Sequence, residues 1–246
     1  EPLVHPQLGP YISICEKENL PVNITSNGVL LNEARQEYLL NPIVKQINFS
    51  LHSFESNFPG KDISVYISKI FQFTKEAFQR RPDLYINYRM WDIIEEQSRT
   101  PTTELILKKM REEFGLSMTE VDVRRKKGIR VINRLYLHQG CRFEWPNSKQ
   151  PFRTTRGFCH GVSSHIGILA DGRVVPCCLD KEGVLELGNC NHQSLEAVLS
   201  DVRAKSMREG FEQNKLVEDL CQKCTFISRF DKKVLRNSRV DPSDVV

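Results

Sequence analysis

The chain has 246 residues, enough for one large domain or two smaller ones. Hydrophobic residues make up 39% and charged residues 27%, the balance of a globular protein with a real core, and no apolar run reaches the length of a membrane span. The formal net charge of +4 is too mild to argue for a nucleic-acid partner, and the densest basic run, at 124–127, reads as a solvated loop after a helix.

In chain order, residues 8–18 carry a helical pattern, and an apolar stretch then leads into Ile-Thr-Ser-Asn-Gly at 24–28, a strand ending in a turn signal. A helix is predicted over 32–40 with Asn32 as its N-cap. Alternating, β-rich runs follow at 43–51, 84–91 and 129–137. Between them, 62–79 is a long amphipathic helix with Ile67, Ile70, Phe71, Phe73 and Phe78 near one face, and 103–114 is a helix ended by Gly115. Strands alternating with helices predict an α/β fold on a parallel sheet, open or barrel-like.

In such folds ligands lie at the carboxyl ends of the strands. The turns there offer Thr25, Ser26, Asn27 and Gly28, then Ser50, His52 and Ser53, then Asn87, Arg89 and Asp92. Hydroxyls, an amide and a guanidinium suit a polar ligand with a carboxylate and a ribose. The competing reading of each residue alone is helix capping and turn chemistry.

The chemistry concentrates further on. The chain has eight cysteines and no secretory pattern at its start. Such thiols in a reducing compartment serve as metal ligands or catalytic groups, and a cytoplasmic location is expected. Cys159 is followed by twelve residues, Gly172, four more, and Cys177, with Cys178 adjacent. Residues 165–169 and 173–175 predict a β-hairpin about Asp171-Gly172, which brings Cys159 and Cys177 to one end. A helix capped by Ser194, with Glu196 in its first turn, is expected to run on from there. Cys221-Gln222-Lys223-Cys224 closes the segment as a knuckle. Four converging thiolates suit zinc or an iron–sulfur cluster. Structural zinc favours two tight knuckles and only one is present, so spacing leans toward a cluster without deciding it. Cys15, Cys141 and Cys190 are expected as small apolar side chains. The bridge at 138–157 either touches substrate or packs as a linker on Phe143 and Trp145. The tail at 231–246 is charged, holds Pro242, lacks an apolar period and is expected to dock loosely.

With these residues in view the chain resembles the radical S-adenosylmethionine enzymes that carry a C-terminal SPASM/twitch extension. The likeness rests on C-x12-G-x4-C, Asp-Gly-Arg-Val-Val-Pro-Cys-Cys, Leu-Gly-Asn, Ser-Leu-Glu-Ala-Val-Leu and C-x-x-C. The opening Glu1-Pro2 is similar to the end of that family's Gly-Gly-Glu-Pro motif, and the segments at 24–28 and 47–51 are similar to its third and fourth strands. The resemblance implies a partial (β/α)6 barrel lacking its first strand and helix over 1–140, a bridge over 141–156 and an auxiliary-cluster domain over 157–230. It implies one auxiliary [4Fe–4S] cluster on Cys159, Cys177, Cys221 and Cys224, with Cys178 a competitor to Cys177. It implies S-adenosylmethionine near Glu1 (amino group), Ser50 and Arg89 (ribose and carboxylate), with Ser26 and Asn27 lining the same mouth. A 5′-deoxyadenosyl radical acting on a peptide or small-molecule substrate would follow, with an electron donor such as flavodoxin or ferredoxin. The family's C-x3-C-x2-C motif is not in the sequence and is expected upstream of Glu1, as are the two glycines; the chain alone is therefore expected to be inactive. No cysteine follows Cys224, which is closer to the one-cluster twitch pattern. A cluster-bearing electron carrier or scaffold, and a zinc-stabilised α/β binding domain, remain the alternatives.

Overall fold

The structure, a computed structural model, describes residues 1–93, 100–116, 128–141 and 144–230. The basic run at 124–127, Phe143 and the tail at 231–246 lie outside the described residues, as do the side chains of Asp92 and Cys141. The chain divides into two compact units, 1–142 and 143–246.

The first unit opens with a short 3-10 turn, Pro2–Val4, and then α1 (Leu8–Lys17). Pro2 suits a first helical position, and the Glu1 side chain caps the turn by accepting from Leu3 N. Next come β1 (Val22–Ser26), α2 (Glu33–Leu39), β2 (Val44–Ser50), a five-residue helix α3 (Ser53–Asn57), α4 (Ser64–Arg80), β3 (Tyr85–Ile93) and α5 (Pro101–Phe114). Asn32 caps α2 by accepting from Arg35 N, and Gly115 ends α5 at φ +62°, a conformation that disfavours a β-carbon. The run at 129–137, expected as one strand, is a hairpin of β4 (Gly128–Ile132) and β5 (Leu135–Cys141). Asn133 takes a left-handed φ of +46°, which Asn tolerates, and turns the chain back.

Among the described residues the sheet has five strands in the order β1-β2-β3-β5-β4, the first four mutually parallel and β4 antiparallel at the edge. One face is apolar. Ile47, Phe49, Ile86, Tyr88, Leu135 and Leu137 are buried with Ile67, Ile70, Phe71 and Phe73 of α4 and Ile106, Leu107 and Met110 of α5. Tyr88 stacks on Phe71 at 5.9 Å, and its hydroxyl meets Thr74 Oγ1 at 2.6 Å. Alternation along the strands places Asn48, Ser50, Asn87, Arg89, Tyr136 and His138 on the other face. Asn48 and Asn87 are both buried there. Asn87 donates to Asn48 Oδ1 at 2.9 Å, and Asn48 donates to Thr25 Oγ1 at 3.2 Å, so a ladder of amides crosses β1 to β3.

The second unit holds a three-stranded antiparallel sheet, β6 (Gly167–Ile168), β7 (Arg173–Val175) and β8 (Gly188–Asn189). The predicted hairpin is β6–β7, with Gly172 at φ +84° in its turn. The long helix expected after Ser194 is two: α6 (Leu195–Ser200) and α7 (Val202–Glu212). Asp201 sits between them in extended geometry and caps α7 by accepting from Arg203 N, because an Asp favours the N-cap over a helix interior. Then comes α8 (Asp219–Lys223) and a 3-10 turn, Thr225–Phe230. Val174, Leu187, Val198, Met207, Phe211 and Leu220 form this unit's core, with Cys159 and Cys221 packed against it. Among the described residues no helix is long and apolar enough to cross a membrane.

Candidate metal centre and ligand site

In the second unit Cys159 precedes the hairpin, Cys177 follows its return strand, and Cys221 and Cys224 lie in and just after α8. All four are partly buried. Burial pushes each thiol up, Cys177 to about 11, and neighbouring thiols add to the effect. The electrostatic partners show which cysteines the fold brings together. Cys177 acts on Cys221, Cys159 acts on Cys177, Cys221 and Cys224, and the neighbouring Cys178 acts on both Cys159 and Cys177. Buried thiolates repel one another and lack solvation, so the chain alone holds these sulfurs neutral. A bound cation or cationic cluster reverses that logic and fits this donor set. Gly161 N donates toward Cys159 Sγ at 3.4 Å, and the Arg153 charge acts against burial at Cys224.

The other cysteines separate by environment. Cys178 is exposed, whereas Cys177 is the more buried of the adjacent pair. Cys15 packs against the core of the first unit, as expected of a small apolar side chain. Cys190 was expected to pack in the same way; it is exposed beside β8, because the turn there points it outward. Among the described residues no three His, Cys, Asp or Glu side chains form a group for a metal ion.

Polar residues that spacing did not single out hold the cysteine loops. Asp180 is 3% exposed, and its carboxylate accepts from Val184 N at 2.9 Å and Leu185 N at 2.8 Å, closing the loop after Cys178. Arg203 of α7 forms a fork with Glu218 at 2.7 and 2.9 Å, just before α8, and donates to Glu186 O at 2.9 Å. Gln222, inside the knuckle, accepts from both Arg153 N and Thr154 N through its carbonyl. An Asp three residues after a cysteine is the only sequence hint of this scaffold.

Of the five predicted contact residues in the first unit, Ser26 and Ser50 end β1 and β2, Asn27 follows β1, Arg89 lies within β3 beside Ser50, and Glu1 caps the opening 3-10 turn. Glu1, Ser26 and Asn27 meet directly. The Glu1 carboxylate accepts from Ser26 Oγ at 2.7 Å, Asn27 N at 2.6 Å and Leu3 N at 3.0 Å. Ser26 is buried, and its oxygen also accepts from Gly28 N, so both of its bonds stay within the fold. Asn27 is held by Tyr66, whose hydroxyl donates to Asn27 O at 2.7 Å. Capping and turn chemistry therefore accounts for Ser26 and Asn27 as placed. Ser50 and Arg89 are register partners on β2 and β3, and Arg89 in turn pairs with His138 on β5. Arg89 is half-buried, which pulls its pKa down, and its guanidinium lies 5.3 Å from the Trp91 ring centroid. No carboxylate among the described residues pairs with it. Burial and the Arg89 charge hold His138 toward its neutral form.

The chain thus joins a parallel α/β unit, whose Arg89 has no carboxylate partner among the described residues, to a small unit that gathers thiols. Residues 159–225 match the family model of SPASM, an iron–sulfur cluster-binding domain. Over the whole chain the fold is similar to BtrN, whose crystal structure is a complex with AdoMet and 2-DOIA; the match has a TM-score of 0.53 and 13% identity, and covers 92% of this chain and 69% of that one. The likeness shows a fold shared with BtrN, and the matched segment is an iron–sulfur cluster-binding domain. Comparison with curated protein sequences gives no match.

Proposed function

We propose that the chain acts as a radical S-adenosylmethionine enzyme that modifies a peptide or small-molecule substrate and carries one auxiliary [4Fe–4S] cluster on Cys159, Cys177, Cys221 and Cys224. The observation that carries this reading is the match of 159–225 to an iron–sulfur cluster-binding domain, in which these four half-buried thiols come from a hairpin base and a later knuckle. Zinc draws four sulfurs around one point, whereas a cluster spreads them over four irons. With all four irons held by protein, electron transfer is the role that fits.

When bound, the cofactors supply one-electron cleavage of S-adenosylmethionine and hydrogen-atom abstraction from substrate. The chain's own part is positioning. Arg89 offers a fork without a carboxylate partner among the described residues, which suits the methionine carboxylate, and Ser50 beside it suits a ribose hydroxyl. The Glu1 carboxylate is already engaged by three donors, so Glu1 would meet the amino group through its backbone carbonyl, with Ser26 and Asn27 framing the turn. The likeness to BtrN supports AdoMet on this face by fold analogy. The parallel sheet would form part of a (β/α)6-type partial barrel. No residue of this chain is assigned to the cleaving cluster. A flavodoxin- or ferredoxin-like protein would exchange electrons with the enzyme in the cytoplasm.

Metal and acid-labile sulfide analysis of anaerobically reconstituted protein tests the reading. The expected result is about four iron and four sulfide per chain, the content of one [4Fe–4S] cluster. One zinc per chain without sulfide would replace it with a structural zinc domain.

A further inference from the structure

The segment from Glu144 to Arg156 lies over both cysteine-bearing parts of the second unit. Lys223 Nζ, inside the knuckle, donates to Ser148 O at 2.9 Å, and Arg153 N and Thr154 N donate to Gln222 O at 3.0 and 3.2 Å. On the hairpin side Lys181, three residues past Cys178, stands 6.0 Å from the Trp145 ring centroid. The outer surface of this segment has an unusual make-up. Trp145 and Phe152 are 45% and 60% exposed. The same segment carries Lys149, Arg153 and Arg156, with Lys215 bridged to Arg156, and among the described residues none of these four makes a salt bridge. The nearby carboxylates are engaged: Glu144 with Gln150, Glu182 with Lys181, and Asp219 with Lys223. Arg156 and Lys215 are brought side by side by an antiparallel bridge.

Large exposed aromatics on a segment rich in cations that make no salt bridge among the described residues mark a recognition surface rather than an ordinary solvated face. Steering by opposite charge onto a small patch is the mode of fast, weak protein encounters, among them those that pass electrons. The segment that bears the patch is bonded to the Cys221–Cys224 knuckle through Gln222 and Lys223. We infer that Trp145 and Phe152, with the cations of the same segment, form the docking surface for an acidic one-electron carrier protein. This inference rests on the cluster reading above, because only a redox centre at that knuckle gives such a carrier something to exchange. One electron passes between the centre and the carrier, and no bond forms or breaks. Arg153 serves both levels: its charge acts on Cys224 from within and faces the patch from without.

The test is the affinity of a net-negative flavodoxin for the reconstituted chain, measured by titration calorimetry at about 0.05 M and 0.5 M salt, a span over which exposed charges become screened. Lys149→Glu with Arg156→Glu is expected to weaken binding about tenfold or more at low salt and to converge with the parent at high salt. Phe152→Ala is expected to weaken binding at both. Unchanged affinity in the charge-reversed variant, or binding that ignores salt, overturns the proposal. Iron and sulfide analysis of the same samples separates the two readings. Salt-dependent binding to a chain that holds no cluster refutes the cluster and, with it, the carrier as occupant; a full cluster with unaltered binding refutes the docking surface alone.

Discussion

Asp180→Ala removes the carboxylate that closes the loop after Cys178. Two amides lose their acceptor, and they are not equal. Leu185 is buried, so its N–H is stranded without water, at a cost of about 1–3 kcal/mol. Val184 is half exposed and its N–H can turn to solvent, which limits that loss to roughly 1 kcal/mol. The sum is about 2–4 kcal/mol. Asp180→Asn keeps one acceptor oxygen, which can serve Leu185, and presents its amide group to Val184, so only about 1–2 kcal/mol is lost. Hydrogen exchange followed by mass spectrometry reads this directly. Peptides covering Val184 and Leu185 are expected to exchange about 30- to 1,000-fold faster in the Ala variant, since each 1.4 kcal/mol is tenfold. The Asn variant is expected to fall between it and the parent. Because the loop carries Cys177, iron retention is expected to follow the same order. Unchanged exchange in Asp180→Ala, or a larger effect from Asn than from Ala, would refute the reasoning.

Cys159→Ala, Cys177→Ala, Cys221→Ala and Cys224→Ala are each expected to lower bound iron sharply in anaerobic reconstitution, and Cys15→Ala to leave it unchanged; iron assays on the five variants check this. In the first unit, Thr74 Oγ1 bonds Ile70 O at 2.9 Å as well as the Tyr88 hydroxyl. Thr74→Val strands a buried hydroxyl and is expected to cost about 2 kcal/mol by urea unfolding, against about 1 kcal/mol for Tyr88→Phe, which leaves Thr74 satisfied. The Arg81 guanidinium beside Asp83 holds that carboxyl down at about 2, below its ordinary 3.8. The folded pKa is the lower one, so its stabilisation is present above pH 4 and is lost as pH falls through 2. Asp83 is more than half exposed, so the loss is under about 1 kcal/mol, and Asp83→Asn is expected to flatten acid unfolding curves by that amount.

Local signals marked most of the elements. Asn32 and Gly115 bounded their helices in the sequence as they do in the structure, because caps act through the backbone beside them. Asp171-Gly172 fixed the hairpin for the same reason. The turn at Asn133 was hidden, since its neighbours Ile132, Leu135 and Leu137 continue an unbroken apolar rhythm. Asp201 was hidden inside a helical period, because a cap in mid-pattern shows only once the chain bends. The thiols were legible from spacing and the strand-end residues from the turn pattern, but what those residues bond to was not. Ser26 is committed to Glu1 across 25 positions, and Asp180, Arg203 and Gln222 take partners set by packing rather than by any motif.

The pairing of the strip before Cys159 with the strip before Cys221 bears on how the second unit acquires its metal. Gly157 N donates to Asn214 O at 2.9 Å and Leu216 N to Thr155 O at 2.8 Å, beside the Arg156–Lys215 bridge. These backbone bonds join the two ends of a loop of about 60 residues, whose closure costs roughly 3–4 kcal/mol of chain entropy plus a constant. The polypeptide meets that cost itself, with Phe211 and Leu216 buried beneath the seam. Cys159 and Cys177 within the loop and Cys221 and Cys224 beyond it are brought together before any iron arrives. Binding of iron and sulfide then need not also draw distant segments together, so uptake is expected to be a filling of a standing cradle rather than a folding reaction, with a rate set by delivery of iron and sulfide.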